Sequence, residues 1–243
     1  MSEEILINVT PPETRVALIE NGVVQEVLVE RTQSRGLVGN VYKGTVCRVL
    51  PGMQAAFVDA GLARAAFLHA SDIMAGDPQN RTENIAELVR EGQEVLVQVV
   101  KDPLGTKGAR LTTNLSIPSR FLVFMPAMNT IGVSQRIEEE EERQRLRDAV
   151  ALFSTELEVR GGFIVRTAGE GVDAMALRAD MIFLLRLWES IQSRITGSAL
   201  RELVHEDLPL VLRALRDFVG PEVEKIRIDS RTSYDTAQQF ARR

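Results

Sequence analysis

The chain has 243 residues, 44% hydrophobic and 26% charged, enough apolar content for one or two domains with cores of their own. Its net charge of −5 excludes a polycation that binds nucleic acid through bulk charge, so any anion-binding surface must be local. Cys47 is the single cysteine, which excludes an internal disulfide framework, and no apolar run approaches the roughly 18 residues of a membrane span.

The opening "MSEEILINVT" resembles neither a signal peptide nor a transit peptide, so a soluble cytoplasmic protein is expected. Three extended stretches follow, "EILINVT", "TRVALIE" and "GVVQEVLVE". "PPE" and "ENG" break them, and Asn21-Gly22 is a hairpin turn signal, so an antiparallel meander is predicted. "RTQSRG" reads as a linker into a new unit.

From Gly36 to about Ile117 short strands alternate with glycine punctuation: "GNVYKGTVCRVL", "QAAFVDAG", "RAAFLHASDI", "QEVLVQVVKDP" and "ARLTTNLSI". An acidic helical insert, "RTENIAELVREG", precedes the fourth. Five strands with a helix before the fourth predict a small closed barrel of the OB type. "SRFLVFMP" and "TIGVSQRI" are strand-like. The run Glu138 to Glu142 opens the helix "EEEEERQRLRDAVALF", where acidic side chains meet the positive end of the dipole. "GGFIVRTAGEG" is a strand ending at Arg166, and a long helix runs from about Val172 to Ile195. A helix in "DLPLVLRALRDFVG", a strand in "EVEKIRIDS" and a helix in "RTSYDTAQQFARR" complete an α+β pattern.

Two places carry chemistry. In the barrel segment, Phe57 and Phe67 each sit in an apolar strand beside a turn. Lys101 and Lys107 bracket "KDPLGTKG", whose Gly105 and Gly108 permit close backbone approach. Outside the acidic insert, residues 36–75 and 95–118 hold six basic residues and three acids. Aromatic rings that stack bases, with lysines for phosphates, hold single strands without reading sequence. The plainer reading makes both phenylalanines ordinary core. The second place is Arg166-Thr167, where a guanidinium fork and a hydroxyl precede glycines and a helix, the chemistry of an anion grip. Its plainer reading is a solvated Arg at a strand end.

The runs "GNVYKGTVCRVLPGMQAAFVDAGLARAAFLHASDI", "VQVVKDPLGTKGARLTT", "LVFMP" and "FIVRTAGEG" resemble the ribonuclease E/G family, in order and over essentially the whole chain. The resemblance implies an OB-fold barrel inserted in an RNase H-like α/β domain and followed by a 5′-end sensor. The implied boundaries are 1–35 for the first RNase H-like part, 36–118 for the barrel, 119–205 for the sensor and 206–243 for a truncated second RNase H-like part. It also implies Mg²⁺-dependent cutting within single-stranded RNA that carries a 5′-monophosphate, as in rRNA maturation and mRNA turnover. Phe57, Phe67, Lys101 and Lys107 match the family's RNA-holding residues. Arg166 and Thr167 match its 5′-phosphate pair, and Val123 aligns with a position that packs on the terminal nucleotide.

The family's catalytic aspartates lie in "DINS"-like and "IDFIDM"-like stretches, and its protomers join through a CPxCxGxG-type zinc link. Neither pattern occurs in this sequence. An N-terminal fragment is therefore expected, with no catalytic or metal-binding residue of its own, taken from a protein that is a homo-oligomer at full length. "EILINVT" also lacks the aspartate of two-metal RNase H chemistry. A non-catalytic single-stranded RNA-binding module is the alternative. A small-molecule enzyme built on Asp59, His69 and Asp72 is a third reading, with no metal-ligand spacing to favour it. His205 reads as a surface or capping residue, and Asp229 as an acid at a strand tip without a carboxylate partner.

Overall fold

The computed structural model describes residues 2–74, 84–220 and 222–241. In chain order the strands are β1 (Glu3–Val9), β2 (Glu13–Glu20), β3 (Val23–Arg31), β4 (Val41–Leu50), β5 (Ala55–Asp59) and β6 (Ala66–His69). After the helical turn α1 (Ile85–Leu88) come β7 (Glu94–Lys101), β8 (Arg110–Thr112), β9 (Ile117–Pro118), β10 (Leu122–Met125) and β11 (Ile131–Val133). Then follow α2 (Glu140–Glu156), β12 (Gly162–Val165), α3 (Ala174–Gly197), β13 (Glu202–His205), α4 (Leu210–Phe218), β14 (Val223–Ile228) and α5 (Arg231–Ala241). They form two compact units, one of Met1–Gly36 with Leu208–Arg243 and one of Leu37–Asp207.

In the first unit the sheet order is β14-β1-β2-β3, with β1, β2 and β3 antiparallel and β14 parallel to β1. The hairpin turn is the expected one: Asn21 and Gly22 take φ of 50° and 81°, both left-handed, as a twisted two-residue turn requires. Ile5, Ile7 and Val16 alternate inward and bury against Leu210 and Ala214 of α4. Strand periodicity meets helix periodicity there, and each large aliphatic side chain so buried contributes about 1.5–3 kcal/mol.

In the second unit β4-β5-β6-β8-β7 close on themselves through a β4–β7 pairing, a five-stranded barrel. Val46, Val58, Leu68, Val97, Val99 and Leu111 fill it. The expected insert helix over 81–92 is a single turn, Ile85–Leu88, and residues 81–83 lie outside the described residues. Ile85 is fully buried and caps the barrel core.

The same unit holds a second sheet, β11-β12-β10-β9, covered by α2 and α3. Phe124 and Phe163 lie opposite each other across β10 and β12 with ring centroids 5.0 Å apart. They pack with Leu146 and Val150 of α2 and Leu177, Met181 and Leu184 of α3. The Gly161-Gly162 pair has a steric reason. A Cβ on Gly161 would meet the Phe124 ring at 2.5 Å, and one on Gly162 would collide with Thr130 O. Strand β13 was not expected from sequence. It pairs with β4 across a register shift, and its only buried residue is Val204.

Candidate nucleic-acid interface

Alternation decides which barrel residues face out. Ala56 and Val58 of β5 and Ala66 and Leu68 of β6 point inward, so Phe57 and Phe67 are left half-exposed on the outer face. They are direct cross-strand partners, with centroids 6.2 Å apart and an interplanar angle of 70°. His69, two residues beyond Phe67, adds a third ring at 6.4 Å, and its Nδ1 accepts from Ser71 N at 3.1 Å. That hydrogen bond gives His69 a structural role, while leaving its ring beside Phe67.

Registration carries this row further. Phe67 is opposite Arg110 of β8, Arg110 is opposite Lys101 of β7, and Phe57 is opposite Arg48 of β4. Arg110 is committed: its Nε and Nη2 both reach Asp72 Oδ2 at 2.8 Å. Lys101 is exposed at the end of β7. Lys107 lies apart from the row, exposed in the loop that joins β7 and β8. Leu104 and Lys107 exchange backbone hydrogen bonds of 3.2 and 3.0 Å around a turn in which Gly105 takes φ 58°. Gly108 lets the loop close onto Ala65 O, where a Cβ would collide.

Arg166 ends β12. Its backbone N donates to Phe121 O at 2.8 Å, and its Nη1 donates to Ser119 O at 2.6 Å. The side chain is thus held over the turn between β9 and β10. Thr167 is exposed, and its Oγ1 lies 3.0 Å from Ser134 Oγ. Val123 of β10 is opposite Ile164 of β12, two residues before Arg166, and both are accessible on the sheet face away from the core. The fold therefore gathers Val123, Arg166 and Thr167 at one end of β10 and β12.

Sequence reasoning missed the residue that supports this corner. Asp180 of α3 accepts with one oxygen from Ser119 Oγ at 2.6 Å, Phe121 N at 3.0 Å and Leu122 N at 3.1 Å. Burial pushes its pKa up, and the Ser119, Phe121 and Leu122 hydrogen bonds and the Arg166 charge pull against that. No motif announces it: an Asp in mid-helix looks like a solvated face. Glu142, from the acidic run, has a tie of its own. It pairs with Arg145 at 2.6 Å and accepts from Gly171 N at 2.8 Å. The Arg145 hydrogen bond leads in lowering its pKa from 4.5 to about 2.

His205 differs from its expected surface role. It closes β13 opposite Val41, half-buried, and burial pushes its pKa down. Asp229 is exposed beyond β14, where its carboxylate accepts from Val9 N at 2.8 Å and Asn8 Nδ2 at 2.5 Å. Those two hydrogen bonds, the backbone one first, lower its pKa. Among the described residues no three His, Cys, Asp or Glu side chains converge, and the partner of Asp229 is a neutral amide. These residues do not fit a Mg²⁺ ion.

Comparison with known proteins matches the S1 RNA binding domain over residues 37–113, which spans the barrel, and the ribonuclease E/G family over residues 116–243. Ribonuclease G of Escherichia coli K12 is 54% identical over 248 residues, covering 99% of this chain and 50% of that protein. Ribonuclease G of Haemophilus influenzae is 53% identical over 245 residues, covering 98% and 49%. Ribonuclease E of Escherichia coli K12 is 37% identical over 244 residues, covering 98% and 23%. The chain thus spans about half the length of the ribonucleases G that it matches. With its strand-end Arg166 segment inside a family match that covers more than half of its residues, the chain belongs to the ribonuclease E/G family.

Proposed function

We propose that this chain is the RNA-holding and 5′-monophosphate-sensing part of an endoribonuclease that cuts single-stranded RNA in RNA processing and decay. The observation that carries the reading is the paired rings of Phe57 and Phe67, set between cations on the outside of the barrel. Rings accept any base by stacking, at about 1–3 kcal/mol per base, and lysines neutralise phosphates without regard to sequence. Lys101 and Lys107 supply that charge. At the other place, the guanidinium of Arg166 offers a planar fork to a terminal phosphate, Thr167 adds a hydroxyl, and Val123 gives the terminal nucleotide an apolar seat.

The organisation proposed with this function is an OB-fold barrel over 36–118, a sensor region over 119–205, and an RNase H-like domain made of 1–35 and 206–243. The sheet order β14-β1-β2-β3, with β14 parallel to β1, supports the last of these. Cutting, in this reading, belongs to residues outside the 243. Mg²⁺ would be held there, and no step runs through the residues of this chain. Assembly as a homo-oligomer and a cytoplasmic location go with the same reading of the whole protein.

Binding of one unstructured oligonucleotide, prepared with a 5′-monophosphate and with a 5′-hydroxyl, tests the reading. A charge-assisted hydrogen bond is worth about 1.5–3 kcal/mol, so the phosphorylated end should be preferred by about tenfold or more. Arg166→Ala should abolish most of that preference. Arg166→Lys should restore little, because a point charge does not reproduce the fork. Equal affinity of the parent chain for both ends would refute end sensing. If, in addition, neither oligonucleotide is bound, the alternative of a non-catalytic RNA-binding module falls with it.

A further inference from the structure

The row on the barrel face has a cation at each end, and a bulge delivers each one. Between Val46 and Arg48 the β4–β5 register slips by one residue. Val46 faces Val58 inside the barrel, Cys47 is the extra residue, and Arg48 stands opposite Phe57 outside. Without the extra residue, Cys47 would stand there. Between Val99 and Lys101 the β7–β8 register slips in the same way. Val99 faces Leu111 inside, Val100 is the extra residue, and Lys101 stands opposite Arg110. Bulges re-aim side chains in this manner at functional edges. Directly opposed residues share a face, so Arg48, Phe57, Phe67, Arg110 and Lys101 form one line across five strands. At about 4.8 Å per strand the line is about 19 Å long.

The cations of the line are not equivalent. Arg110 is held by Asp72. Arg48 and Lys101 are exposed, and neither forms an ion pair with a carboxylate of the described residues. Two stacking rings between two uncommitted cations match a single strand, with bases over the middle and a phosphate at each end.

We propose that Arg48 is a further RNA contact, neutralising a backbone phosphate at the end of the row opposite Lys101, so that the RNA strand lies across the barrel strands. The inference rests on the reading of the barrel face as RNA-holding and adds to it a residue and a direction. A strand lying along β7 would reach Lys101 and miss Arg48. A strand lying across the sheet reaches both.

The test is the salt dependence of binding by the full chain to a short oligouridylate with a 5′-hydroxyl end, which removes any contribution from a terminal phosphate. Each phosphate contact on a single strand adds about 0.7 to the steepness of log affinity against log salt. Arg48→Gln should flatten the slope by about 0.7, Lys101→Gln by the same amount, and the double variant by about twice as much. Arg48→Lys should keep the parent slope. Melting curves of each variant confirm that the barrel is intact. If Arg48→Gln leaves slope and affinity unchanged while Phe57→Ala weakens binding, this inference is wrong and the RNA-holding reading stands. If Phe57→Ala, Lys107→Ala and Arg48→Gln all bind as the parent does, that reading itself is wrong.

Discussion

Asp180→Ala probes the corner that holds Arg166. The substitution removes the acceptor of Phe121 N and Leu122 N, while Ser119 Oγ keeps a second acceptor, Leu122 O, at 2.9 Å. Each buried N–H left without a partner costs about 1–3 kcal/mol. Two effects pull the total toward the low end. The site is half-buried, so water can replace part of the loss, and the burial penalty on the carboxylate disappears with it. The net is about 2 kcal/mol, or about 4–8 °C in melting temperature for a unit of this size. Asp180→Asn keeps an oxygen acceptor and should lose about half as much. Burial raises the folded pKa of Asp180, so its ionisation opposes folding. Its contribution is therefore greatest below the unfolded value and falls as pH rises through the folded one. The Asn variant lacks that limb. Loosening Ser119 also frees Arg166 Nη1 from its carbonyl, so the preference for a 5′-monophosphate should drop severalfold. The assays are thermal melting against pH and paired binding to phosphorylated and hydroxyl ends. An Ala variant that melts with the parent and keeps the full preference would refute the support role.

Glu142→Gln should blunt acid unfolding. The folded pKa of about 2 lies below the ordinary 4.5, so this group stabilises above pH 4.5 and loses its contribution as pH falls toward 2. Melting temperature against pH should fall less steeply in the variant over that window, and parallel curves would show that Arg145 and Gly171 find other partners. The 243-residue chain with Mg²⁺ should leave a 5′-monophosphorylated, unstructured RNA uncut, read on a denaturing gel. Cleavage that disappears in Asp229→Asn would overturn the assignment of catalysis to residues outside this chain.

Local chemistry was enough for several features. Asn21-Gly22 demanded a left-handed two-residue turn whatever it was attached to, whereas Phe57 and Phe67 read equally as core until the barrel buried Val58 and Leu68 beside them. Five strand-length runs with a helical break before the fourth were sufficient for a barrel. Arg166 and Thr167 were visible at the end of a strand, and the long motif runs were enough for the ribonuclease E/G family. What sequence left open depends on pairing between distant segments. A bulge is a one-residue slip between partners, so Arg48 becomes the neighbour of Phe57 only once β4 and β5 are in register. β13 is only four residues long and buries just Val204, so it is held by its pairing with β4 and not by an alternating apolar pattern. Asp180 reads as one more acid on a long helix until the fold brings it to Ser119 and two backbone amides, 58 to 61 residues back along the chain. In each case the deciding energy is a hydrogen bond or a contact that does not exist in the unfolded chain, so no local propensity reports it.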